Sequence, residues 1–299
     1  MKKIPILIDT DPGVDDFFCI AIGCAFKELF DLRAITTIGG NNLTDITTRN
    51  ALDILKLFGR DDVDVARGAD SFLTHPFDEP VLKFHGSNGL GDVEIEHSNR
   101  KAVDIPAWDK IYEEAKKCNG ELVLVTVGPE TNLGMAFNKY PDLKNMIKKI
   151  VVMGGTLTTG NINQYAEANI YNDAEAARIV FEQGIPIDMI GLNVTRKAPL
   201  RKSIFDNLEN INPEIKDVML KLIEFRNEEA MHDAIAISSL VNDKVIIFKD
   251  AYTYIIDDNS EKRGMSAVDY EKTPNSRVAV DVNVEEYYKV MRDMISQYK

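Results

Sequence analysis

The order of apolar and amphipathic segments constrains this chain more than any other feature of its sequence. Short apolar runs of strand length alternate with longer amphipathic segments of helix length. The predicted strands are Ile4–Ile8, Leu32–Ile38, Val63–Ala66, Leu122–Val127, Ile150–Met153 and Ile187–Ile190. The predicted helices are Asp15–Phe30, Thr44–Phe58, Trp108–Lys117, Thr131–Tyr140, Ala174–Gln183 and Pro213–Glu229. This alternation predicts an α/β fold whose mostly parallel central sheet is flanked by helices on both faces.

The C-terminal part of the chain adds further elements to this pattern. Val245–Phe248, Tyr252–Ile256 and Val278–Val282 predict three more strands, and Glu285–Gln297 predicts a last helix. A chain of 299 residues could form one large domain or two smaller ones. Because no linker, internal repeat or low-complexity tract divides the sequence, we expect a single domain over residues 1–299.

The overall composition excludes several classes of protein. The net charge of −13 makes nucleic acid an unfavourable partner, because a protein this acidic repels phosphate backbones. Three cysteines are too few, and odd in number, for a disulfide framework. The apolar stretch at residues 4–8 is too short for a signal peptide, and no apolar run reaches membrane length. We therefore expect a cytoplasmic protein without a membrane partner.

Small and polar residues follow strand after strand. The strand ends are followed by Gly39-Gly40-Asn41-Asn42, Gly128-Pro129, Gly154-Gly155 and Gly191-Leu192-Asn193. In an open parallel sheet, ligands bind beyond the carboxyl ends of the strands. Glycine lets the backbone come close to a ligand there. Together these loops predict one pocket at that edge of the sheet.

The loop after the first predicted strand carries four aspartates within eight residues, Asp9, Asp11, Asp15 and Asp16. Four carboxylates so close in sequence would repel one another without a cation between them. Clustered carboxylates bind hard cations such as Ca²⁺ or Mg²⁺ through oxygen. Alternatively, Asp15 and Asp16 serve only to start the following helix, where negative charge is favourable. The density of carboxylates favours a metal site.

Three further motifs carry polar groups, each with a simpler alternative. Asp233, in the pair His232-Asp233, could be a further metal ligand or only the N-cap of the apolar helix that follows. The segment 160–169 is rich in carboxamides that suit sugar hydroxyls, or is only a polar loop. The glycine-rich segment 85–92 could close over a ligand, or be a surface loop.

With these motifs in place, the sequence resembles the inosine-uridine preferring nucleoside hydrolases over nearly its whole length. The stretch Asp-Thr-Asp-Pro-Gly-Val-Asp-Asp at 9–16 is the most specific signature of that family. The other landmarks occur in the same order: Gly39-Gly40-Asn41, His85-Gly86 with Gly89-Leu90, Gly128-Pro129 with Thr131-Asn132, Met153-Gly154-Gly155, Gly160-Asn161, Ala166-Glu167 with Asn169, and His232-Asp233.

The resemblance implies an α/β domain, assembled as a homodimer or homotetramer, that hydrolyses the N-glycosidic bond of ribonucleosides. It also implies one Ca²⁺ per subunit. The implied metal ligands are Asp11, Asp16, the backbone carbonyl of Val127, and Asp233. The 2′- and 3′-hydroxyls of the ribose would complete the shell of the ion. Asp9 is left with a supporting role.

The resemblance also implies roles for residues around the substrate. Asp11 would be the general base for a water that attacks an oxocarbenium-like sugar. His232 would protonate the leaving base and His85 would lie near it. The implied ribose contacts are Asp15, Asn41 and Asn169 for the 2′- and 3′-hydroxyls, Asn161 and Glu167 for the 5′-hydroxyl, and Met153 beside the sugar.

The chain departs from the family pattern at several places. Glu130 stands where an apolar residue is usual, Asn193 where Asp is common, and Ala234 where Pro is usual. The segment Phe225–Met231 is shorter than in the family by about one to two helical turns. Because that segment helps to close over the base, recognition of the base is the part the resemblance does not carry over. His232 stands where purine-specific relatives tend to carry Trp, which favours a broad or pyrimidine-preferring enzyme.

Two alternatives compete with the hydrolase hypothesis. The pattern Asp9-x-Asp11 after a first strand also occurs in haloacid-dehalogenase-like phosphatases, but Gly13 stands where those need Thr or Val. That hypothesis leaves the carboxamide-rich segment and the His-Asp pair without a role. The second alternative is a catalytically weak relative that binds a nucleoside or ribose without cleaving it, and the shortened segment before His232 motivates it.

Overall fold

The protein is described by a computed structural model that covers residues 2–77, 80 and 82–299. Its strands are β1 (Ile4–Thr10), β2 (Phe30–Thr37), β3 (Asp64–Arg67), β4 (Leu122–Thr126), β5 (Ile147–Met153), β6 (Ile187–Ile190), β7 (Ile246–Ile255), β8 (Ser266–Asp269) and β9 (Ser276–Val282). Its helices are α1 (Val14–Ala25), α2 (Thr44–Leu57), α3 (Leu82–His85), α4 (Ala107–Cys118), α5 (Thr131–Lys139), α6 (Ala168–Asn172), α7 (Ala174–Phe181), α8 (Leu192–Thr195), α9 (Pro213–Phe225), α10 (His232–Val241) and α11 (Val284–Ile295).

All of these strands belong to one sheet with the order β3-β2-β1-β4-β5-β6-β9-β7-β8. The pairings from β3 through β9 are parallel, and only β7 runs antiparallel to its neighbours β9 and β8. The predicted α/β class with a mostly parallel sheet is therefore confirmed. Because β1 lies between β2 and β4, the loops that follow these three strands meet at one edge of the sheet.

Apolar side chains pack on both faces of the sheet. Along β1, Ile6 and Ile8 belong to the layer formed with α1, α2 and α10, and Leu7 belongs to the opposite layer with α4, α5 and α7. This follows from the period of two in a strand, which sends neighbouring side chains to opposite faces. Every residue of α1 is buried, including the free thiols of Cys19 and Cys24. The acidic first turn of α1 is therefore held in place by the core.

Several predicted boundaries were wrong. The predicted helix Asp15–Phe30 ends at Ala25, and Phe30 already begins β2. The intervening turn contains no glycine or proline, so the sequence gives no stop signal. The strands predicted at Val245–Phe248 and Tyr252–Ile256 are one strand, β7, whose polar middle residues are exposed.

The segment between α9 and α10 also differs from the prediction. Helix α9 ends at Phe225, earlier than the predicted Glu229, and the chain then turns through Asn227 and Glu228. Both residues have a positive φ, 51° and 58° respectively. Asn tolerates this left-handed conformation, but Glu adopts it at a cost in free energy. No helix in the described part of the chain is long and apolar enough to span a lipid bilayer.

Candidate active site

A cavity of about 560 Å³ opens at the carboxyl edge of the sheet. Its volume suits a small molecule. The predicted site residues that line it are Asp15, Asn41, His85, Val127, Met153, Asn161, Glu167, Asn169, His232 and Asp233. The two remaining predicted residues, Asp11 and Asp16, are buried and do not line it. The topology therefore brings the separate motifs of the sequence to one place.

Three carboxylates form a tight cluster at the floor of this cavity. Asp15, Asp16 and Asp233 each offer an oxygen atom, and these atoms lie within 4.8 Å of one another. Asp15 and Asp16 stand in the first turn of α1, and Asp233 stands in the first turn of α10, which packs against α1. Asp233 is thus inside the helix, and Met231 rather than Asp233 occupies the N-cap position. Such a cluster fits a divalent cation.

Asp11 lies beside this cluster rather than within it. Its Oδ2 atom accepts a hydrogen bond from the backbone N–H of Asn41 at 2.7 Å. The side-chain amide of Asn41 donates to Asp16 Oδ2 at 2.9 Å, so Asn41 bridges the two aspartates. Within the described residues, the buried Asp11 Oδ1 atom has no hydrogen-bond partner. A buried oxygen without a partner calls for a missing ligand, and a cation beside Asp16 fits that need.

Glycines make room for the Asp11 carboxylate. A Cβ atom on Gly40 would lie 2.3 Å from Asp11 Oδ2, and one on Gly128 would lie 2.7 Å from Asp11 Oδ1. Neither position could carry a side chain without displacing Asp11. On the other side, the backbone N–H of Gly13 donates to Asp16 Oδ2 at 2.9 Å, and the Thr10 hydroxyl donates to Asp16 Oδ1. The loops therefore fix both carboxylates.

The cluster is electrostatically strained without a cation. Burial, followed by the charge of Asp16, raises the pKa of Asp11 well above its usual range. Burial and the charge of Asp15 raise the pKa of Asp16 to about 6 and that of Asp233 well above its usual range. Burial also opposes ionisation of Asp15, but nearby positive charge, that of Arg226 above all, lowers its pKa. A dication in the cluster would favour the ionised forms of Asp11, Asp16 and Asp233.

Asn169 joins two strand ends at the edge of the cavity. Its side-chain amide donates to the backbone carbonyls of Val127 and Met153, both at 3.0 Å. Val127 follows β4 and Met153 ends β5, so one amide ties neighbouring strands at the edge of the cavity. A carbonyl oxygen has two lone pairs, and Val127 could accept this bond and still coordinate a cation.

Glu167 and Asn161 are held by backbone groups. Glu167 is the N-cap of α6, a helix the sequence pattern did not predict, and accepts from the N–H groups of Asn169 and Ile170. It also accepts from the N–H of Gly155 at 3.0 Å. Burial nevertheless raises the pKa of Glu167 to about 7. Asn161 Oδ1 accepts a hydrogen bond from the backbone N–H of Ala168 at 2.9 Å. The amide N–H groups of Asn161 remain for a ligand.

Two histidines, His85 and His232, also line the cavity. His85 Nδ1 accepts a hydrogen bond from the backbone N–H of Val14 at 3.3 Å. His232 Nδ1 lies 2.7 Å from the hydroxyl of Thr195 in α8. Burial lowers the pKa of both rings to about 4, so both imidazoles are neutral at neutral pH. The role of His232 as the acid for the leaving base stays a prediction.

The structure adds residues that the sequence patterns did not single out. Phe84, Ile162, Arg196 and Arg226 also line the cavity. They lie in irregular segments or at element ends, where no periodic pattern predicts orientation. The guanidinium of Arg196 is engaged, since it donates to backbone carbonyls of the segment before Asn161 at 2.6 and 3.0 Å. The sequence offered one signal for Arg226, because this residue lies in the segment Phe225–Met231 that is shorter than in the family.

Two departures from the family pattern have a structural setting. Glu130 is fully buried at the start of α5 and accepts a hydrogen bond from the Thr126 hydroxyl at 2.6 Å. Asn193 in α8 donates through its amide to the carbonyl of Ala279 at 2.9 Å and accepts from the N–H of Leu157. Asp at that position could make only the second bond, so the carboxamide fits its surroundings.

The chain is similar to known proteins over nearly its whole length. The sequence profile described as inosine-uridine preferring nucleoside hydrolase matches residues 6–289. The non-specific ribonucleoside hydrolase RihC of Escherichia coli is 33% identical over 304 residues, which cover 98% of this chain and 99% of the relative. The pyrimidine-specific ribonucleoside hydrolase RihA of Shigella boydii is 31% identical over 312 residues, which cover 99% of both chains.

Solved structures give the same result. The purine-preferring ribonucleoside hydrolase from Gardnerella vaginalis superimposes with a TM-score of 0.91 at 32% identity and covers 98% of both chains. These matches leave the phosphatase alternative without support, and they confirm the predicted class of enzyme, a ribonucleoside hydrolase. The chain belongs to the inosine-uridine preferring nucleoside hydrolase family.

Proposed function

We propose that this protein hydrolyses the N-glycosidic bond of ribonucleosides to free base and ribose, with Asp11 as the general base. The observation that carries the proposal is the Asp11 Oδ1 atom, which is buried beside the carboxylate cluster with no partner in the described part of the chain. A buried carboxylate with a free oxygen can accept a proton from a water that reaches it. Family membership supports the reaction class.

The proposed metal ligands are Asp11, Asp16, Asp233 and the carbonyl of Val127, and the proposed ion is Ca²⁺. All four donors are oxygens, which is the donor set that Ca²⁺ prefers. When bound, Ca²⁺ would lower the pKa of a neighbouring water and orient the ribose hydroxyls. Asp15 lies within the same 4.8 Å cluster, so we assign it to the 2′- and 3′-hydroxyls at the rim of the ion.

The remaining protein groups position the ribose and the base. We assign Asn41 and Asn169, together with Asp15, to the 2′- and 3′-hydroxyls. Asn161 and Glu167 would bind the 5′-hydroxyl, and Met153 would pack against the sugar. His85 and His232 remain assigned to the base side. The locked side chains of Asn41, Asn169 and Glu167 support this, because fixed donors hold a substrate in a reactive geometry.

Asp11→Asn tests the proposal. Asn cannot accept the proton, so we expect kcat to fall by at least about 10²–10⁴ while the protein stays folded. Release of free ribose from a panel of purine and pyrimidine nucleosides is the measurement, and Asp104→Asn, at an exposed aspartate, is the matched control. Unchanged turnover in Asp11→Asn would rule out Asp11 as the base.

The same assay separates the enzyme from the catalytically weak binder. If the wild-type protein binds ribose or a nucleoside but releases no ribose from any member of the panel, the proposed activity is wrong. The relatives include non-specific, pyrimidine-specific and purine-preferring enzymes, so the similarity does not identify the base for this chain.

A homodimer or homotetramer in the cytoplasm is also part of the proposal. The family resemblance supports this assembly. Sedimentation velocity at micromolar protein concentration would distinguish the two assemblies from a monomer.

A further inference from the structure

We infer that Arg226 is the residue that recognises the nucleobase in this chain, by donating hydrogen bonds to an exocyclic carbonyl oxygen. Its guanidinium would select bases with an oxygen where adenine and cytosine carry an amino group. It would also stabilise the charge that collects on that oxygen as the base leaves. The inference rests on the proposed function and extends it to the chemical class of the base.

The surroundings of Arg226 leave its guanidinium available to a ligand. Arg226 lines the cavity and is only 8% exposed, and its Nε atom has no hydrogen-bond partner within the described residues. The ion pair that Arg226 forms within the described residues, to Glu229, spans 3.5 Å and involves a side chain that is 60% exposed. An exposed pair of this length adds little stability. The fold therefore buries a charged donor without satisfying it.

Burying an unsatisfied charged donor is costly, so its retention calls for an acceptor from outside the chain. Several other polar groups around the cavity have protein partners already. Arg196 is bonded to two backbone carbonyls, and Asn169 and Glu167 are bonded to the strand ends and to α6. Arg226 is the cavity cation with a free N–H among the residues described.

Arg226 stands on the base side of the cavity. The Phe84 ring lies below its guanidinium, with 5.5 Å between the Cζ atom and the ring centroid. Phe84 directly precedes His85, which we assign to the base, in α3. Phe84 from α3 and Arg226 from the shortened segment thus form an aromatic and cationic wall. Such a wall suits a flat, polar ring.

The chemistry of the leaving base matches a fixed cation. When the C1′–N bond breaks, its electron pair stays with the base, and a water oxygen bonds to C1′. One water proton goes to Asp11 and reaches the base nitrogen through solvent, so that ribose and neutral base result. In a base with an exocyclic oxygen, the transient negative charge spreads onto that oxygen. A guanidinium donates and cannot accept, so an amino group in the same place gives it no hydrogen bond.

The test compares kcat/KM for inosine, adenosine and 4-nitrophenyl β-D-ribofuranoside in wild type, Arg226→Met and Arg226→Lys. The nitrophenyl riboside has no nucleobase and a good leaving group, so it reports on the ribose half alone. We expect Arg226→Met to lose about 10- to 100-fold on inosine, the value of a charge-assisted hydrogen bond, and to change about threefold or less on the other two substrates. Arg226→Lys keeps the positive charge but lacks the planar pair of N–H donors, so we expect a smaller loss of kcat/KM on inosine.

Glu229→Gln is the matched control for a structural role of the ion pair, and we expect it to leave all three substrates unchanged. An equal loss on all three substrates in Arg226→Met, or the same loss in Glu229→Gln, would overturn the inference and leave the proposed function standing. A wild type that prefers adenosine to inosine would also overturn it. A wild type that cleaves none of the three would instead refute the proposed function. If Arg226→Met does not fold, a loss specific to inosine in Arg226→Lys decides.

Discussion

Two buried carboxyl groups lie behind the proposed metal site, those of Asp9 and Glu130. Asp9 Oδ1 accepts from the Thr36 hydroxyl at 2.5 Å and from the Asn132 amide at 2.9 Å, whereas the second oxygens of Asp9 and Glu130 lack partners within the described residues. Burial raises the pKa of Asp9 to about 7 and that of Glu130 to about 8. Asp9 and Glu130 are therefore two buried groups that can hold a proton near neutral pH, and the supporting role of Asp9 stays a prediction.

Glu130→Gln should remove part of the pH dependence of stability. The pKa of Glu130 is about 8 in the fold against an ordinary value of 4.5, so its contribution is complete below pH 4.5 and is lost as the pH rises through 8. We expect the variant to gain about 2–4 kcal/mol relative to wild type between pH 5 and pH 8.5.

Urea unfolding of both proteins across that range measures the difference, with chelator present so that metal binding does not contribute. Asp9 and Asp173, whose charges also raise the pKa of Glu130, titrate in both proteins and largely cancel. Parallel stability curves for the two proteins would contradict the prediction.

The identity of individual site residues was predictable only where the fold rule applied. Asp11, Asp15 and Asp16 follow a buried strand, and the carboxyl-end rule places them at the pocket. Phe84 and Arg226 follow no such rule, because their contact joins two irregular regions of the chain. Nothing in the period of either region indicates which side chain faces the cavity. The sequence alone therefore could not predict that Phe84 and Arg226 face the cavity, and the structure was needed to show it.

At the level of elements, the glycines that follow β2 and β4 determine the position of the Asp11 carboxylate, because they leave room for it. Gly40→Ala would place a Cβ atom 2.3 Å from Asp11 Oδ2. Because the Asn41 backbone also bonds that oxygen, the loop cannot move without moving Asp11. We expect kcat to fall by about 100-fold or more, as for a misplaced catalytic group, with an unchanged circular dichroism spectrum.

Gly59→Ala is the matched control for this substitution. Its Cβ atom would meet nothing within 4 Å, although Gly59 has a φ of 62°. The strain at Gly59 should lower the melting temperature without lowering kcat. Full activity in Gly40→Ala would mean that the Asp11 position is not essential.

The apolar strands were predictable, including the four-residue β3 and β6, but the short helices were not. Strands with continuous apolar runs, such as β1 and β4, appear within two residues of their predicted ends. Helices α3, α6 and α8 have only four or five residues, which is too short for a 3.6-residue period to register. All three short helices carry cavity residues, His85 on α3, Asn169 on α6 and Leu192 on α8. The missing elements thus include parts of the site.

At the level of the whole molecule, the sheet order explains why motifs spread over more than two hundred residues converge. The loops after β1, β2 and β4 are neighbours because those strands are neighbours, and α10 brings Asp233 to the same edge by packing on α1. This convergence was predictable from the alternating pattern, since it depends only on a parallel sheet. The rule that the loops after parallel strands meet at one edge does not apply to the antiparallel pair β7 and β8.

Metal binding should therefore stabilise the whole fold. The cation would join residues from α1 and α10, and it relieves the repulsion among buried carboxylates. At free Ca²⁺ of about 100 times its Kd, linkage predicts a gain of about 2.7 kcal/mol in the free energy of unfolding. Differential scanning fluorimetry with increasing Ca²⁺ measures this gain, and treatment with a chelator should abolish hydrolysis until Ca²⁺ is returned.

Mg²⁺ in place of Ca²⁺ is the control for ion type, and Asp16→Asn is the control for site. We expect a smaller shift in both cases, because Mg²⁺ gives up its water ligands reluctantly and the variant lacks one carboxylate. A melting temperature that does not respond to Ca²⁺ in the wild type would contradict the assigned metal site.

The two left-handed residues between α9 and α10, Asn227 and Glu228, have a practical consequence for redesign. Their segment carries Arg226 and forms one wall of the cavity, yet it is not a strand of the sheet. The ribose side, by contrast, is tied to strand ends through Asn169. A library that varies length and sequence between Phe225 and Met231 would leave those strand ends untouched. The molecule can thus serve as a scaffold in which new leaving groups are selected while the sugar-cleaving machinery stays constant.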